Sequence, residues 1–360
     1  MKNIVHISNF NLMRLKGCFQ NGFPIKISNG LIRNGYSVLN YPDRDLCRMF
    51  GFGHMNFWGK RKLNAHLINY CKTVKPDALL IGHADLIEAE TILKIKEIFP
   101  QLRIMQWSCD WIVPGYAERN IGALRKYLDV VDVLMISTGD SHLLRQFKRP
   151  HNKVAYLPNM ADNSIETNRS FEHETLPYDI MLCTNTGKRQ FCGEDEEIEQ
   201  IIDEASARVP GLKWLLAGLK GKRNLNGYEY IEALGKAAMG LNLSRLNDVY
   251  LYSSDRLAHI MADGQLAFID RRNGFTSLFE EDEAAFYETR EEFFDKLRYF
   301  KENPQQRMNT AHKGWEKIHT EYNERTVTKF MADLLFDKFK PEGRPWPVSD
   351  THLRAHETLS

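Results

Sequence analysis

Short apolar runs alternate with longer amphipathic stretches along the first half of the chain. The apolar runs have the length and composition of buried strands, and they lie at 3–8, 36–41, 78–81, 103–107, 131–136 and 154–157. Between these runs, apolar residues recur at helical spacing, most clearly over 24–34, 65–74 and 86–98. Strands that alternate with such helices predict βαβ units and a parallel sheet with helices on both faces. We therefore expect residues 1–165 to form one Rossmann-like, doubly wound domain.

The alternation resumes after a polar, turn-rich segment at 159–177, which we interpret as a linker. Further strands are predicted at 178–183, 213–217, 239–243, 265–269 and 284–287. An acidic stretch at 194–207 predicts a solvated helix. Residues 175–323 are therefore expected to form a second Rossmann-like domain. Two such domains would bring the carboxyl ends of both sheets to a common cleft, where open α/β sheets bind ligands.

The end of the chain differs from both halves. Residues 324–340 carry apolar positions at helical spacing and predict an amphipathic helix. Residues 341–360 contain three prolines among polar residues and show no periodicity, so we treat them as a tail outside the fold.

Composition narrows the classes of function. The chain has 360 residues and a net charge of +1, so it lacks the excess of Lys and Arg that a general nucleic-acid binder needs. Its first residues are too polar for a secretion signal, and no apolar run approaches the roughly 18 residues of a membrane span. Six cysteines are scattered without a CxxC pair, a pattern that indicates reduced thiols and no zinc site. We expect a soluble, cytoplasmic protein without a bound metal.

One stretch of the second half, 250–287, combines cationic and polar groups with a predicted helix and strand. Ser253 or Ser254 can cap the helix, and Arg256 then lies in its first turn, where a cation and free backbone N–H groups suit a diphosphate. His259 lies three residues later, on nearly the same helix face. Gly274 marks a turn after the strand that follows. Taken singly, Arg256 could be a surface ion pair and His259 a packed core histidine.

Two other strand ends of the second half offer groups of the same kind. Gly187, Lys188 and Arg189 follow the first strand of the predicted domain, and Ser244 follows a buried strand. Small and polar residues at a strand end, followed by cations, suit a phosphate cradle. An ordinary polar loop is the alternative interpretation.

This pattern resembles the donor-binding region of GT-B glycosyltransferases, and most closely that of the spore-maturation-protein-like members. The residues that carry the resemblance are, in chain order, Ser253, Arg256, Gly264, Gly274, Phe279, Glu283 and Tyr287. The resemblance implies a nucleoside-diphosphate sugar donor held mainly by the second domain, with no metal or other cofactor. It also implies that the last helix crosses back onto the first domain.

One position departs from the family pattern. In many relatives the residue three after the arginine is a glutamate that binds the ribose hydroxyls, whereas this chain has His259. The identity of the donor is therefore left open. Glu283 is a second candidate for contact with the sugar or ribose, with an exposed acidic loop as the alternative.

The first half offers groups for the acceptor side. Asp110 follows the predicted strand at 103–107, and His83 and Asp85 follow the strand at 78–81. A carboxylate or imidazole at such a strand end can deprotonate an acceptor hydroxyl. A base of this kind is needed if the reaction inverts the anomeric centre, and the sequence does not decide this. The acceptor class also stays open among glycans, lipid-linked sugars and proteins, with polysaccharide biosynthesis as the family analogy.

Other functions and a membrane contact remain as alternatives. A nucleotide-sugar epimerase of the same fold would use the same donor pocket, and a non-catalytic nucleotide- or sugar-binding protein would keep only the pocket. Residues 50–62 place aromatics next to cations, which suits peripheral contact with the inner face of a membrane. A buried loop followed by a basic helix start is the interpretation that the sequence favours.

Overall fold

The computed structural model describes residues 1–13, 22–339 and 346 of the chain. The chain divides into two compact units, the first comprising Met1–Pro158 with Glu324–Ser360 and the second Asn159–Asn323. Among the described residues, no helix combines the length and the apolar character that crossing a membrane requires.

The first unit is built on a six-stranded parallel sheet. Its strands are β1 (Asn3–Ser8), β2 (Ser37–Pro42), β3 (Ala78–Ile81), β4 (Arg103–Ser108), β5 (Val133–Ile136) and β6 (Lys153–Tyr156). They lie in the order β2-β1-β3-β4-β5-β6. Every residue of β3 and β5 is buried, as expected for strands covered on both faces. The order reverses at β1 and β3, and open sheets bind ligands at the carboxyl ends of strands beside such a reversal.

Six helices of the first unit connect these strands. They are α1 (Phe23–Arg33), α2 (Asp43–Phe50), α3 (Phe57–Val74), α4 (Ala89–Ile98), α5 (Glu118–Arg125) and α6 (Ser141–Arg145). The sequence pattern did not predict α2. Helix α3 begins earlier than the predicted 65–74, because Asn56 caps its first turn by accepting a 2.8 Å hydrogen bond from the Gly59 N–H.

The second unit contains a five-stranded parallel sheet and a small hairpin. Strands β7 (Tyr178–Cys183), β10 (Trp214–Ala217), β11 (Ala237–Asn242), β12 (Leu266–Asp270) and β13 (Ala285–Tyr287) lie in the order β10-β7-β11-β12-β13. Its helices are α7 (Ile198–Arg208), α8 (Tyr228–Leu234), α9 (Arg256–Ala262), α10 (Arg290–Glu302) and α11 (Pro304–Thr320). The two parallel sheets confirm the predicted α/β class with two Rossmann-like domains.

The hairpin of the second unit replaces part of a predicted helix. Strands β8 (Lys188–Phe191) and β9 (Glu194–Glu197) pair antiparallel where the sequence predicted a helix from 194. Opposite charges face each other across the pair, with Lys188 opposite Glu197 and Arg189 opposite Glu196. Such cross-strand pairs stabilise a hairpin, so the helix begins only at Ile198.

The segment 159–177 is not the free linker that the sequence indicated. The boundary between the units falls after Pro158, and the segment packs within the second unit. The Ala161 N–H donates to the Tyr322 carbonyl at 3.0 Å, and Phe171 is buried in the core. Asn168 donates from both its backbone and its side chain to Oδ1 of Asp263, at 3.2 and 2.7 Å. This packing could not be predicted from hydrophobic periodicity, because the segment is polar and is held largely by hydrogen bonds.

The last helix, α12 (Glu324–Leu335), belongs to the first unit and ends before the predicted 340. It packs closely on α1, because a Cβ atom at Gly30 would lie 2.2 Å from the Glu324 carbonyl oxygen. The buried Glu324 carboxylate accepts a 2.6 Å hydrogen bond from Arg33. Asn34 donates to the Thr328 hydroxyl at 2.9 Å. A small residue and these polar contacts therefore fix α12 on the first unit.

Replacing Gly30 tests this packing. We expect Gly30→Ala to lower the free energy of unfolding by about 1–3 kcal/mol, because backbone atoms of α12 must move to admit the methyl group. The matched control is Gly122→Ala in α5, where a Cβ meets nothing within 4 Å. That substitution should be neutral or slightly stabilising. Urea unfolding of both variants measures the difference, and equal stability of the two would contradict the close contact.

The buried carboxyl of Asp263 should make stability depend on pH. Burial, and then the charge of Glu166, raise its pKa to about 7. The folded state thus holds this proton more tightly than the unfolded chain does, so the group destabilises the fold above pH 7 and the penalty fades as the pH falls. Asp263→Asn should therefore be more stable than the parent at pH 8, by a few degrees in Tm, and should lose this advantage progressively as the pH falls from 7 towards 4. The exposed control Asp295→Asn should show no such pH dependence.

Candidate functional site

The carboxyl edge of the second sheet gathers the cations that the sequence singled out. Strand order reverses at β7 and β11, and Arg256 of α9 lies at this point. Its Nε donates to the Cys183 carbonyl at 3.2 Å, and its Nη1 donates to the Leu243 carbonyl at 3.0 Å. Arg256 therefore joins the ends of the two strands between which an open α/β sheet binds its ligand.

A second guanidinium, that of Arg189, lies near Arg256. Arg189 is buried, and it donates to the Thr184 hydroxyl at 3.0 Å and to the Asn185 carbonyl at 2.9 Å. Burial, and then the positive charges of Arg256 and Arg245, lower the pKa of Arg189. Within the described part of the chain, no carboxylate forms an ion pair with Arg189 or Arg256. Neighbouring cations with no carboxylate at ion-pair distance form a site to which an anion binds favourably.

Side-chain atoms without hydrogen-bond partners line the same edge. The buried atoms Asn242 Nδ2, Ser244 Oγ and Ser254 Oγ have no partner among the described residues. Asn242 ends β11, Ser244 follows it, and Ser254 precedes α9. Buried polar atoms are rarely left unpaired, because desolvation without a hydrogen bond costs about 1–3 kcal/mol. These atoms are therefore placed to bind the polar groups of a ligand.

Lys188, Gly187 and Gly274 are the other predicted groups of this edge. Lys188 is exposed at the start of β8, and the Gly187 carbonyl accepts a hydrogen bond from the Ile198 N–H at 3.3 Å. Gly274 follows β12 with a φ of +76°, and a Cβ there would lie 2.4 Å from the Tyr250 ring. Both the left-handed backbone and the ring contact demand glycine, so Gly274 lets the loops after β11 and β12 pack together.

The predicted capping of α9 is not what the structure contains. Neither serine caps the helix, since Asp255 occupies the cap position and makes no side-chain cap bond. The Ser253 hydroxyl donates instead to Oδ1 of Asn242 at 2.9 Å. Helix α9 has only seven residues, so the guanidinium of Arg256 dominates the local electrostatics rather than a helix dipole.

His259 lies inside the second unit. Its Nδ1 lies 2.7 Å from Oε1 of the buried Glu166, and its Nε2 lies 3.7 Å from Oδ2 of Asp255. The imidazole packs edge-on against Tyr230, with ring centroids 5.5 Å apart. With both nitrogens facing carboxylates, the ring orders α9 and the 159–177 segment. A direct contact between His259 and the donor stays a prediction.

Glu283 is not brought to the carboxyl edge. It precedes β13 and therefore lies at the amino end of that strand. Its carboxylate is 3.0 Å from the Lys317 ammonium and accepts a 2.7 Å hydrogen bond from the Glu280 N–H. These contacts bind the 280–283 turn to α11, which is a structural role.

The three acceptor-side candidates meet in the first unit. His83, Asp85 and Asp110 line one cavity of ≈ 340 Å³ at the ends of β3 and β4. His83 Nε2 lies 3.3 Å from Oδ2 of Asp110, and both side chains are partly exposed. Asp85 instead forms ion pairs with Arg44 and, at 3.5 Å, with Arg119. Arg44 and Arg119 thus engage the carboxylate of Asp85, whereas the carboxylate of Asp110 faces the His83 imidazole.

Cys109 forms, with His83 and Asp110, a cluster of potential metal ligands. One atom each of His83, Cys109 and Asp110 lies within 4.8 Å of the others. Imidazole, thiolate and carboxylate are all zinc ligands, so these three residues could hold a metal ion. The expectation that the protein works without a metal stays a prediction.

The roles of two residues of these sites were not apparent from the sequence. Cys109 reads as one of six scattered cysteines, and Glu166 lies in the segment interpreted as a linker. A signal was present for Asn242, because a polar residue that ends a buried strand points at the ligand edge.

Comparison with known proteins connects this geometry to a fold family. Residues 189–333, less than half of the chain, match the family model described as "Glycosyl transferase-like". No curated protein matches the chain in sequence.

Several solved structures share the fold of nearly the whole chain. HepE from Anabaena, in complex with UDP-glucose, is 11% identical with a TM-score of 0.62, and the match covers 94% of this chain and 100% of HepE. A glycosyltransferase from Rickettsia africae is 9% identical with a TM-score of 0.60, covering 95% and 99%. A putative UDP-N-acetylglucosamine 2-epimerase from Listeria monocytogenes is 11% identical with a TM-score of 0.54, covering 96% and 99%.

At these identities the solved structures establish the fold alone. The spore-maturation-protein-like subfamily has no support beyond the sequence resemblance. The chain has the two-domain GT-B fold of these structures, and its residues 189–333 match the glycosyl transferase-like family model.

Proposed function

We propose that the protein transfers a sugar from a nucleoside-diphosphate sugar to a hydroxyl group of an acceptor. The observation that carries this proposal is the pair Arg189 and Arg256 at the reversal of strand order, without a carboxylate partner among the described residues. The unpaired polar atoms of Asn242, Ser244 and Ser254 beside them support a bound polar ligand. A diphosphate matches both the charge and the hydrogen-bonding capacity of this edge.

In the proposed reaction, the bond between the anomeric carbon and the diphosphate oxygen breaks. The bonding electrons leave with the nucleoside diphosphate, and the two guanidinium groups stabilise the negative charge that develops there. The acceptor oxygen forms the new bond to the anomeric carbon and loses its proton. Because the arginines supply this charge stabilisation, we propose that transfer needs no bound metal.

We propose Asp110 as the group that takes the acceptor proton in an inverting reaction. Its carboxylate is partly exposed in a cavity, and the His83 imidazole lies 3.3 Å away. Asp85, held by Arg44 and Arg119, would position the wall of the cavity instead. A glycan, lipid-linked or protein hydroxyl is the proposed acceptor, in polysaccharide biosynthesis on the cytoplasmic side of a cell.

The donor base proposed for first testing is uracil, since the Anabaena neighbour was solved with UDP-glucose. The Listeria neighbour, a putative 2-epimerase, keeps epimerisation as a second candidate. An epimerase would convert the donor into another nucleotide sugar without any acceptor. Product analysis of a donor panel separates the two functions.

Removing Arg256 should weaken donor binding. We expect Arg256→Ala to reduce the affinity for UDP about tenfold to a hundredfold, because charge-assisted hydrogen bonds to a phosphate contribute about 1.5–3 kcal/mol. Isothermal titration calorimetry measures the change. Arg256 also donates to two backbone carbonyls, so its removal could disturb the loops that it joins. Lys188→Ala therefore serves as a second variant, because it removes a cation from the same edge without removing a described hydrogen bond.

The matched control for Arg256 is Arg298→Ala, which removes an exposed arginine from α10. It should leave the affinity for UDP unchanged. If Arg256→Ala, correctly folded by circular dichroism, binds UDP as tightly as the parent, the donor site lies elsewhere.

UDP titration of the parent protein after treatment with a chelator should give an unchanged affinity if no metal takes part in donor binding.

Removing the proposed base should affect turnover rather than donor binding. Asp110→Asn keeps the size of the side chain and loses the basic oxygen, so kcat for transfer should fall by about 10²–10⁴-fold while the affinity for UDP stays unchanged. Steady-state rates of nucleoside-diphosphate release with acceptor present give the first quantity. Wild-type turnover in the asparagine variant would indicate that no enzymic base is needed, as in a retaining reaction.

A further inference from the structure

The first unit exposes a group of large apolar side chains between α2 and α3. Phe52 is 89% exposed, Phe57 70% and Trp58 61%, and Met49 and Met55 are also more than half exposed. We call these five residues, together with the cations Arg61 and Lys62, the aromatic–basic surface. The sequence analysis favoured a buried loop here, and the structure contradicts that interpretation. Soluble proteins rarely expose a contiguous group of this kind unless it binds something.

The exposure is built into the local fold. A Cβ at Gly59 would lie 2.4 Å from the Cys47 carbonyl, and one at Gly51 would lie 2.2 Å from the His54 carbonyl, so the turn packs closely on α2. The Asn56 cap fixes the start of α3. Backbone contacts therefore fill the inner side of the turn, and the aromatic side chains have no interior position to occupy.

The Asp, Glu, Lys and Arg residues of the segment that carries this surface are all cations. Residues 46–75 contain no Asp or Glu, and they contain six cations, Arg48, Lys60, Arg61, Lys62, Lys72 and Lys75. Arg48 and Lys60 form ion pairs with residues outside this segment. Arg61 and Lys62 are exposed, and no described carboxylate pairs with either. Lys62 Nζ lies 5.9 Å from the centroid of the Phe52 ring, so cation and aromatic ring occupy one surface.

We propose that the aromatic–basic surface docks the protein on a bilayer that contains anionic phospholipids. Aromatic rings prefer the boundary between headgroups and acyl chains, and Lys and Arg side chains interact with anionic headgroups. The combination of inserted rings and flanking cations holds peripheral proteins on such membranes. The lack of acidic residues over 46–75 gives the surface a charge complementary to anionic lipid.

Helix α2 connects this surface to the proposed acceptor cavity. Arg44, in its first turn, lines the cavity and pairs with Asp85, and Met49 near its end belongs to the surface. The two residues are separated along the helix axis by about 7–8 Å. The membrane contact narrows the acceptor to a molecule anchored in the bilayer, such as a lipid-linked sugar, and this narrowing rests on the proposed function. The lipid binding itself does not.

Vesicle binding of the full-length protein tests the inference. Sedimentation with vesicles of phosphatidylcholine alone, and of phosphatidylcholine with phosphatidylglycerol, should show binding to the second kind, weakened by added salt. We expect Phe52→Ser/Phe57→Ser and Arg61→Gln/Lys62→Gln each to weaken this binding about tenfold or more. The control Tyr299→Ser, which removes an exposed aromatic ring from the second unit, should leave it unchanged.

Tryptophan fluorescence gives a second readout. Of the six tryptophans, all of which lie among the described residues, only Trp58 is highly exposed. Brominated lipid should therefore quench the fluorescence of the parent protein, and Trp58→Phe should remove most of that quenching.

Three results would overturn the inference: no binding to anionic vesicles, binding that both double variants retain in full, or a stable oligomer in solution that the phenylalanine variant dissociates. The last would make the surface a contact between copies of the chain. UDP titration in the absence of vesicles tests the donor site separately. Normal UDP binding without vesicle binding would leave the proposed function standing and remove only the membrane contact.

Discussion

The guanidinium of Arg256 holds together the part of the second unit on which its chemistry depends. By donating to the carbonyls of Cys183 and Leu243, it fixes the ends of β7 and β11 at the reversal of strand order. Arg189 is held nearby by Thr184 and Asn185. Two cations kept close by neutral backbone groups repel each other, and a bound diphosphate would relieve this repulsion. The same hydrogen bonds that build the loop thus prepare it for an anion.

The contact with Glu166 explains why position 259 is a histidine. Glu166 is buried against the ring, with Oε1 2.7 Å from Nδ1 and Oε2 accepting the Asp162 N–H at 2.7 Å. The glutamate found at this position in resembling enzymes would here face a second buried carboxylate, which is strongly unfavourable. The departure from the family pattern is therefore coupled to the packing of the 159–177 segment. If the ribose is bound by a carboxylate, that carboxylate is not at position 259.

The fold was predictable from the sequence where burial produces a pattern. Strands such as β3 and β5 are continuous apolar runs, and Gly264 and Gly274 follow the ends of α9 and β12. The misassigned regions depend on polar pairings that leave no hydrophobic pattern in the sequence. The hairpin β8–β9 is stabilised by charges opposite each other across two strands, and the 159–177 segment by hydrogen bonds to Asp263 and Tyr322. Among the site residues, Arg256 follows from its position in the first turn of a helix and Asp110 from its position after a strand. The roles of Glu166 and Cys109 appear only in three dimensions.

A crystal structure of the protein with a nucleoside diphosphate tests the central claim most directly. The account predicts that the diphosphate lies at the ends of β7 and β11, within hydrogen-bonding distance of Arg256 or Arg189 and of at least one of Ser244 and Ser254. Those serine hydroxyl groups would then gain the partners that they lack among the described residues. A diphosphate bound elsewhere, or an edge that stays empty while the nucleotide saturates the protein in solution, would contradict the assignment of the donor site.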